Sequence, residues 1–216
     1  SLSFNANSLV SIKNCKFGEQ VSTKTSNDLG WSNKLGVSSS VLVLKNFDFG
    51  DLIFHNIAVD IKLDSITAEI GVTYEITNKA PHTFAISKSD INGIYLNFHK
   101  EGKKGNSDYE VKIEESKINF CIARNLKNFI FIGNHISTLI VKGKFAKVQV
   151  KGNSFSPGIE YFQGISLRNN LKPVLANFSG FDIGRGKDKS EINELSLSNN
   201  IFYNITEKIS NDSLLN

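Results

Sequence analysis

The chain has 216 residues, 40% of them hydrophobic and 21% charged, and its formal net charge is +4 at pH 7. This length and composition predict a folded domain with a buried core and exclude an intrinsically disordered chain. No apolar run approaches the ~18 residues that a membrane-spanning helix needs, so we expect no membrane span.

The basic residues are mostly Lys spread evenly along the chain, and three are Arg: Arg124, Arg168 and Arg185. Proteins that read nucleic acids usually concentrate Arg beside exposed aromatic side chains. We therefore expect no nucleic-acid partner.

The sequence contains no Met and begins with Ser, which favours a processed chain or a fragment of a longer protein. Its first residues, SLSFNANSLVSIKN, lack the basic start and the apolar block of a signal peptide. We expect residues 1–216 to form a single domain.

One phrase recurs along the chain, in which two or three alternating apolar residues precede a small polar pair and another large apolar residue. Near the start it reads VSIKNCKF, and near the end it reads ELSLSNNIF. Its occurrences span residues 10–17, 41–49, 59–66, 84–91, 111–118, 129–136, 148–155, 164–171 and 194–202. Where the phrases follow closely, the interval is about 16 to 19 residues, which is typical of a repeat architecture.

Each phrase predicts two short β-strands joined by a sharp corner. Alternation such as that of Ile130 and Ile132 has the period of a strand with one buried face. The polar pair, for example Gly133-Asn134, suits the corner because Gly and Asn tolerate left-handed backbone angles. We also expect the corner asparagines to stack, each side-chain amide bonding the next.

Three polar segments interrupt the regular spacing of the phrases. They are residues 18–36, 99–110 and 179–190, and Gly, Ser, Asn and Lys dominate them. This composition predicts loops that leave the repeat structure.

The repeated phrases, SIKNCKF and SLSNNIF among them, resemble those of the right-handed parallel β-helix, or pectin-lyase-like, superfamily. The resemblance covers most of the chain but includes no catalytic motif. It implies an all-β, single-domain solenoid of about eight to ten coils with three protruding loops. A β-sandwich is the alternative fold, since it also consists of many short strands. Members of the superfamily include polysaccharide lyases, glycoside hydrolases, epimerases, phage tailspikes and secreted adhesins.

Two clusters carry the candidate catalytic residues. The first is Asp48 and Asp51 in NFDFGDLIFH, where Asp48 is expected to point away from the core. The second is Asp182 and Arg185 in FDIGRGKDKS. Hydrolysis of a glycosidic bond needs two carboxyl groups, and Arg can bind the carboxylate of a sugar acid through two hydrogen bonds. The alternative is that both clusters are solvated loop residues.

Three residues in or beside the predicted loops are candidates for ligand binding: Trp31, Tyr109 and Lys187. Exposed aromatic faces stack on sugar rings and contribute to protein interfaces. For Trp31 the alternative is that the ring packs its own loop against the solenoid or covers an open end.

The sequence predicts no metal site and no cofactor, because a metal site needs converging His, Cys or carboxylate ligands. The four histidines lack such spacing; they are His55, His82, His99 and His135. Cys15 and Cys121 lie among apolar residues, and we expect both to be buried free thiols.

These observations leave two functional hypotheses. The first is a non-catalytic binding or structural module that presents its loops to a glycan or a protein, within a secreted or cell-surface protein. The second is a carbohydrate-active enzyme, a lyase, hydrolase or epimerase, that uses the two clusters in a groove. They differ in whether two carboxylates, or a carboxylate and a cation, meet on one face within about 10 Å. A homotrimer and a cytoplasmic location are also compatible with the sequence.

Overall fold

The computed structural model describes residues 9–13, 41–55, 60–76, 82–98, 108–156, 180–183 and 190–203. Within these ranges it has sixteen β-strands and no helix, so the predicted all-β class is confirmed. In chain order the strands are β1 (Leu9–Lys13), β2 (Val41–Lys45), β3 (Asp48–His55), β4 (Asp60–Asp64), β5 (Thr67–Ile76), β6 (Thr83–Ser87), β7 (Asp90–Phe98), β8 (Glu110–Glu114), β9 (Lys117–Arg124), β10 (Asn128–Ile132), β11 (His135–Lys142), β12 (Lys144–Lys151), β13 (Ser154–Phe155), β14 (Gly180–Ile183), β15 (Glu191–Ser198) and β16 (Ile201–Phe202).

The strands form two sheets, and from β2 to β13 the chain alternates between them. The first sheet has the order β1-β2-β4-β6-β8-β10-β12-β15. The second has the order β3-β5-β7-β9-β11-β13-β16, with β14 also paired to β11. Every pairing between described strands is parallel. A β-sandwich is built from antiparallel sheets, so the pairing argues against that alternative.

The repeated phrase explains each crossing from the first sheet to the second. In the crossing from β10 to β11, Phe129, Phe131 and Ile136 are buried, and Gly133 at the corner has a φ of 67°. Left-handed backbone angles recur at the same corner of the other crossings, at Asn46, Ser65, Lys88, Glu115, Gly152 and Asn199. The predicted order of strand, corner and strand is therefore confirmed for the phrases that the structure describes.

Columns of apolar side chains fill the core. Val111, Phe129 and Val148 occupy one register position on β8, β10 and β12, and all three are fully buried. Burying an aliphatic or aromatic side chain of this size contributes about 1.5–3 kcal/mol. The outward residues of β8 and β10 are half-buried, which gives the period of two that the sequence predicts.

Hydrogen bonds connect successive corners between the first sheet and the second. They involve the residue that follows the left-handed one at six of these seven corners, and we call this row the corner ladder: Ile66, Ser89, Ser116, Asn134, Asn153 and Asn200. Each backbone N–H donates to the side-chain oxygen of the next member, over 2.8–3.2 Å. The predicted stacking of amides is confirmed, since Asn134 Nδ2 donates to Asn153 Oδ1 and Asn153 Nδ2 donates to Asn200 Oδ1.

The last third of the chain departs from the expected layout in one respect. Gly180–Ile183 lies inside the predicted loop 179–190 but forms β14, so that prediction is wrong over these residues. Phe181 pairs with Leu139 and packs against the core, which explains why the segment is a strand. The phrase at 164–171 lies outside the described residues, and β12 pairs directly with β15. Residues 18–36 and 99–107 of the other predicted loops also lie outside them.

Candidate functional site

The second sheet presents a row of polar side chains directly after the corner ladder. One residue comes from the start of each strand from β3 to β13 in the order of the sheet, and neighbours in the row are paired in register. We call this row the polar stripe; its members are Asp48, Thr67, Asp90, Lys117, His135 and Ser154. Adjacent strands lie about 4.8 Å apart, so the stripe extends over roughly 24 Å.

The polar stripe is an accessible part of this face of the sheet. Five of its members are exposed, and Ser154 is half-buried. Farther along β9 and β11 the outer face is covered, since Ile122 and Ile140 are 1% exposed although they lie outside the main core cluster. A molecule that approaches β9 or β11 from solvent on this face therefore meets the stripe first.

At the centre of the stripe a carboxylate contacts an ammonium group. Lys117 Nζ donates to Asp90 Oδ2 at 3.3 Å, and the two side chains are 69% and 61% exposed. An ion pair in such contact with water contributes only about 0–1 kcal/mol to stability. Because breaking this ion pair costs little free energy, both charges remain available to a ligand.

His135 lies between two serines and contacts both through its ring nitrogens. Its Nδ1 is 2.7 Å from Ser154 Oγ, and its Nε2 is 3.0 Å from Ser156 Oγ. In the neutral form of an imidazole one ring nitrogen donates and the other accepts, and the two hydroxyls can satisfy both. These bonds fix the orientation of the ring, while each hydroxyl keeps a lone pair for a ligand.

Two amides extend the polar surface beside the stripe. Asn119 Nδ2 donates to Asn92 Oδ1 at 3.2 Å, between neighbouring strands. The surface thus offers carboxylates, an ammonium group, an imidazole, hydroxyls and amides at the spacing of the strands. Sugar hydroxyls both donate and accept hydrogen bonds, so this mixture of groups is suited to a glycan laid across the strands.

The structure places one predicted catalytic residue in the polar stripe. Asp48 is exposed at the start of β3 between the buried Phe47 and Phe49, as its sequence position predicts. Asp182 is half-buried on β14, opposite Ile140. Because β5, β7, β9 and β11 separate β3 from β14, the two aspartates are at least about 24 Å apart at the strand spacing. The two predicted clusters therefore do not form one site through these residues.

The side chains of four other predicted site residues are not among those that the structure describes. The backbone of Asp51 lies on β3 opposite Gly71, but its side chain is not among the described ones. Trp31, Arg185 and Lys187 lie outside the described residues.

Tyr109 lies in a buried aromatic cluster, so the expectation of an exposed ligand-binding ring is wrong. Tyr109 is 0% exposed, and its ring lies edge-on to that of Tyr74 with 6.2 Å between ring centroids. Burial raises the pKa of both tyrosines. His82 beside them is 9% exposed; burial lowers its pKa, while Asp60 at 3.6 Å acts in the opposite direction.

Three members of the stripe, Asp90, Lys117 and His135, were not recognisable from the sequence as neighbours. Each directly precedes the first buried residue of the second strand in its phrase, as Asp90 precedes Ile91. This shared position is a signal that the sequence contains. However, 27 residues separate Asp90 from Lys117, and only the register of β7 and β9 shows that they are adjacent.

Comparisons with known proteins identify no relative of this chain. No protein-family model, no curated protein and no solved structure matches it.

Other groups in the described residues bear on metal binding, membranes and redox chemistry. No cluster of three or more His, Cys, Asp or Glu residues is arranged there to hold a metal ion. The same residues contain no helix that is long and apolar enough to cross a membrane. Cys121 is a buried free thiol, as predicted, and burial raises its pKa. Cys15 lies outside the described residues.

Proposed function

We propose that the chain is a right-handed parallel β-helix, in which each coil contributes one strand to each sheet. The alternation of the strands between two parallel sheets supports this fold, as does a corner ladder that recurs at successive crossings. A crossover between parallel strands of one sheet is right-handed in about 98% of cases, which favours the right-handed form.

The function that the geometry supports best is binding of a glycan along the polar stripe. One observation carries this proposal: six strands that are neighbours in one sheet present polar side chains at the same register position, and five of these side chains are exposed. Because a sheet holds the spacing of these groups, binding requires little ordering of the backbone. The carboxylates of Asp48 and Asp90 outnumber the single ammonium group of Lys117, which favours a neutral glycan over a polyanion.

Titration calorimetry with neutral and acidic glycans tests this proposal. Lys117→Ala is expected to weaken binding of the recognised glycan at least about tenfold, because a hydrogen bond from a charged group contributes about 1.5–3 kcal/mol. Lys147→Ala is the matched control, since it removes a lysine that pairs with Glu194 at 2.7 Å on the outer face of the first sheet. The control should leave the affinity within about twofold. Equal losses in both variants, or no binding by any glycan, would contradict the proposal.

A carbohydrate-active enzyme is the second candidate, and the contact between Asp90 and Lys117 favours it. Cleavage of an acidic glycan by elimination needs a base beside a cation that holds the sugar carboxylate. Hydrolysis needs two carboxyl groups, and Asp48 lies two strands from Asp90, so their backbones are about 9.6 Å apart. This distance is close to the carboxyl separation of inverting hydrolases, which extends to about 9.5 Å.

Incubation of the chain with each glycan, followed by size-exclusion chromatography of the polymer, tests the enzymatic candidate. Shortening of one glycan that is lost in Asp90→Asn but kept in Asp64→Asn would establish it. Asp64 is a suitable control because it pairs with Lys45 at 2.8 Å on the other sheet. Unchanged polymer length with every glycan would reject catalysis and leave the binding module.

A further inference from the structure

The described structure ends in a surface that exposes residues at core positions. Leu195 and Leu197 pair with the buried Val148 and Val150 of β12, yet they are 38% and 40% exposed. On the second sheet, Phe202 stacks on Phe155 with 4.6 Å between ring centroids but is itself 48% exposed. We call this surface the open end; it consists of Leu195, Leu197, Ile201, Phe202 and Tyr203.

The hydrogen-bond pattern also stops at the open end. The backbone N–H of Asn153 donates to Asn200 Oδ1 at 3.0 Å, and the same relation would require an acceptor for the N–H of Asn200. In the part of the chain that the structure describes, the corner ladder has no member beyond Asn200 and β15 is an edge strand. Edge strands carry unpaired backbone groups and readily pair with another strand.

The opposite edge of the first sheet has a sequence that fits the open end. This edge is β1, which pairs in parallel with β2 and with no other described strand. The phrase that contains β1, VSIKNCKF, matches LSLSNNIF at the open end. Apolar residues occupy the same places in both, Val10 with Leu195 and Ile12 with Leu197, and a Phe closes each phrase.

We propose that copies of this chain associate head to tail, with β1 of one copy adding to β15 of another as a parallel strand. In this register Val10 lies beside Leu195, Ser11 beside Ser196 and Ile12 beside Leu197. The partner strand removes exposed leucine side chains from water and pairs the edge of the sheet. Such a contact is heterologous, so each assembly keeps one free β1 and one free open end, and growth continues into filaments.

Sedimentation velocity over a concentration series tests the association. The expected result is a weight-average mass that rises with concentration beyond that of a dimer. Leu197→Lys places a charge in the contact and should weaken association at least about tenfold. Ser196→Lys, on the outward side of the same strand, is the matched control and should change it by less than about twofold. Circular dichroism checks that both variants fold, and a wild-type chain that stays monomeric at every concentration overturns the proposal.

Disulfide cross-linking tests the orientation of the two copies. In a background with Cys15→Ser and Cys121→Ala, one preparation carries Ser11→Cys and the other carries Ser196→Cys. Adjacent strands lie within the Cα separation that a disulfide spans, about 4.4–6.8 Å, so the mixture should form mixed dimers. Dimers of Ser196→Cys alone would show a two-fold arrangement and overturn the head-to-tail contact. Hydrogen exchange that finds the outer edge of β15 protected in the monomer would also overturn it, because the chain would then cover its own end.

Discussion

Asn153 is the residue at which the contribution of the corner ladder can be measured most directly. Its side chain makes four hydrogen bonds at a position that is 1% exposed. Oδ1 accepts from the N–H and the Nδ2 of Asn134, at 2.8 and 3.2 Å. Nδ2 donates to the carbonyl of Phe131 at 3.0 Å and to Asn200 Oδ1 at 2.9 Å. Asn153→Ala removes all four bonds.

The loss of unfolding free energy in Asn153→Ala follows from the hydrogen bonds that each partner group of Asn153 retains or loses. Asn134 Nδ2 still donates to the carbonyl of Ile113, and Asn200 Oδ1 still accepts from the backbone N–H of residue 153. The N–H of Asn134, however, loses its acceptor in a buried site, which costs about 1–3 kcal/mol. The carbonyl of Phe131 loses a bond with a net contribution of about 0.5–1.5 kcal/mol. We therefore expect the free energy of unfolding to fall by about 2–4 kcal/mol.

Asn153→Ser should cost less, because serine already fills this position elsewhere in the ladder. Ser116 Oγ accepts from the N–H of Ser89 at 3.1 Å and donates to the carbonyl of Glu114 at 2.8 Å. A serine at 153 can make the equivalent pair of bonds. The expected loss is about 1–2 kcal/mol, since the donor to Phe131 is still missing.

Urea denaturation followed by circular dichroism measures these losses, with a denaturant slope that should not change. Asn128→Ala is the control, because that amide donates to Glu110 at 3.0 Å on the outer face, where substitutions cost no more than about 0.5 kcal/mol. If Asn153→Ala costs no more than this control, the corner ladder does not stabilise the fold and the reasoning is refuted. A serine variant as unstable as the alanine variant would refute the equivalence of Ser and Asn.

Two further predictions concern other buried groups. Because burial lowers the pKa of folded His82 below its usual 6.5, the unfolded chain binds this proton more readily. The free energy of unfolding should therefore fall as the pH decreases below 6.5, by up to about 1.4 kcal/mol per pH unit for one proton. His82→Gln should flatten this part of the plot of unfolding free energy against pH. Equal slopes in the wild type and the variant would contradict the assignment to His82. At Gly93, an added Cβ would lie 2.3 Å from Phe120 Cζ, so Gly93→Ala should cost about 1–3 kcal/mol in urea denaturation. The cost should shrink in combination with Phe120→Leu, whereas strictly additive losses would contradict a clash with that ring.

The corners could be predicted from the sequence because local chemistry sets them. Gly133, Gly152 and Asn199 are residues that tolerate left-handed angles, and they adopt them. Lys88 and Glu115 adopt the same angles although their sequence offers no such signal. Buried residues flank these two corners as they flank the others, so the alternation of apolar residues is the more reliable part of the phrase.

Tyr109 shows what local patterns could not provide. It follows a polar segment, which predicts exposure, but its ring contacts Tyr74 on β5 and His82 directly before β6, both much earlier in the chain. Its burial depends on how β5, β6 and β8 meet in three dimensions. The same limit applies to Asp90 and Lys117, whose contact follows from the register of two strands and not from either phrase alone.

The corner ladder explains how the polar stripe stays aligned although the intervals between phrases vary. From Ser116 to Asn134 the chain advances 18 residues, and from Asn153 to Asn200 it advances 47, yet both pairs make the same N–H to side-chain oxygen bond. The constant element of the repeat is thus the corner with its hydrogen bond. The stripe residues from Thr67 to Ser154 each begin a strand directly after a ladder residue, and the ladder therefore sets the spacing of these side chains.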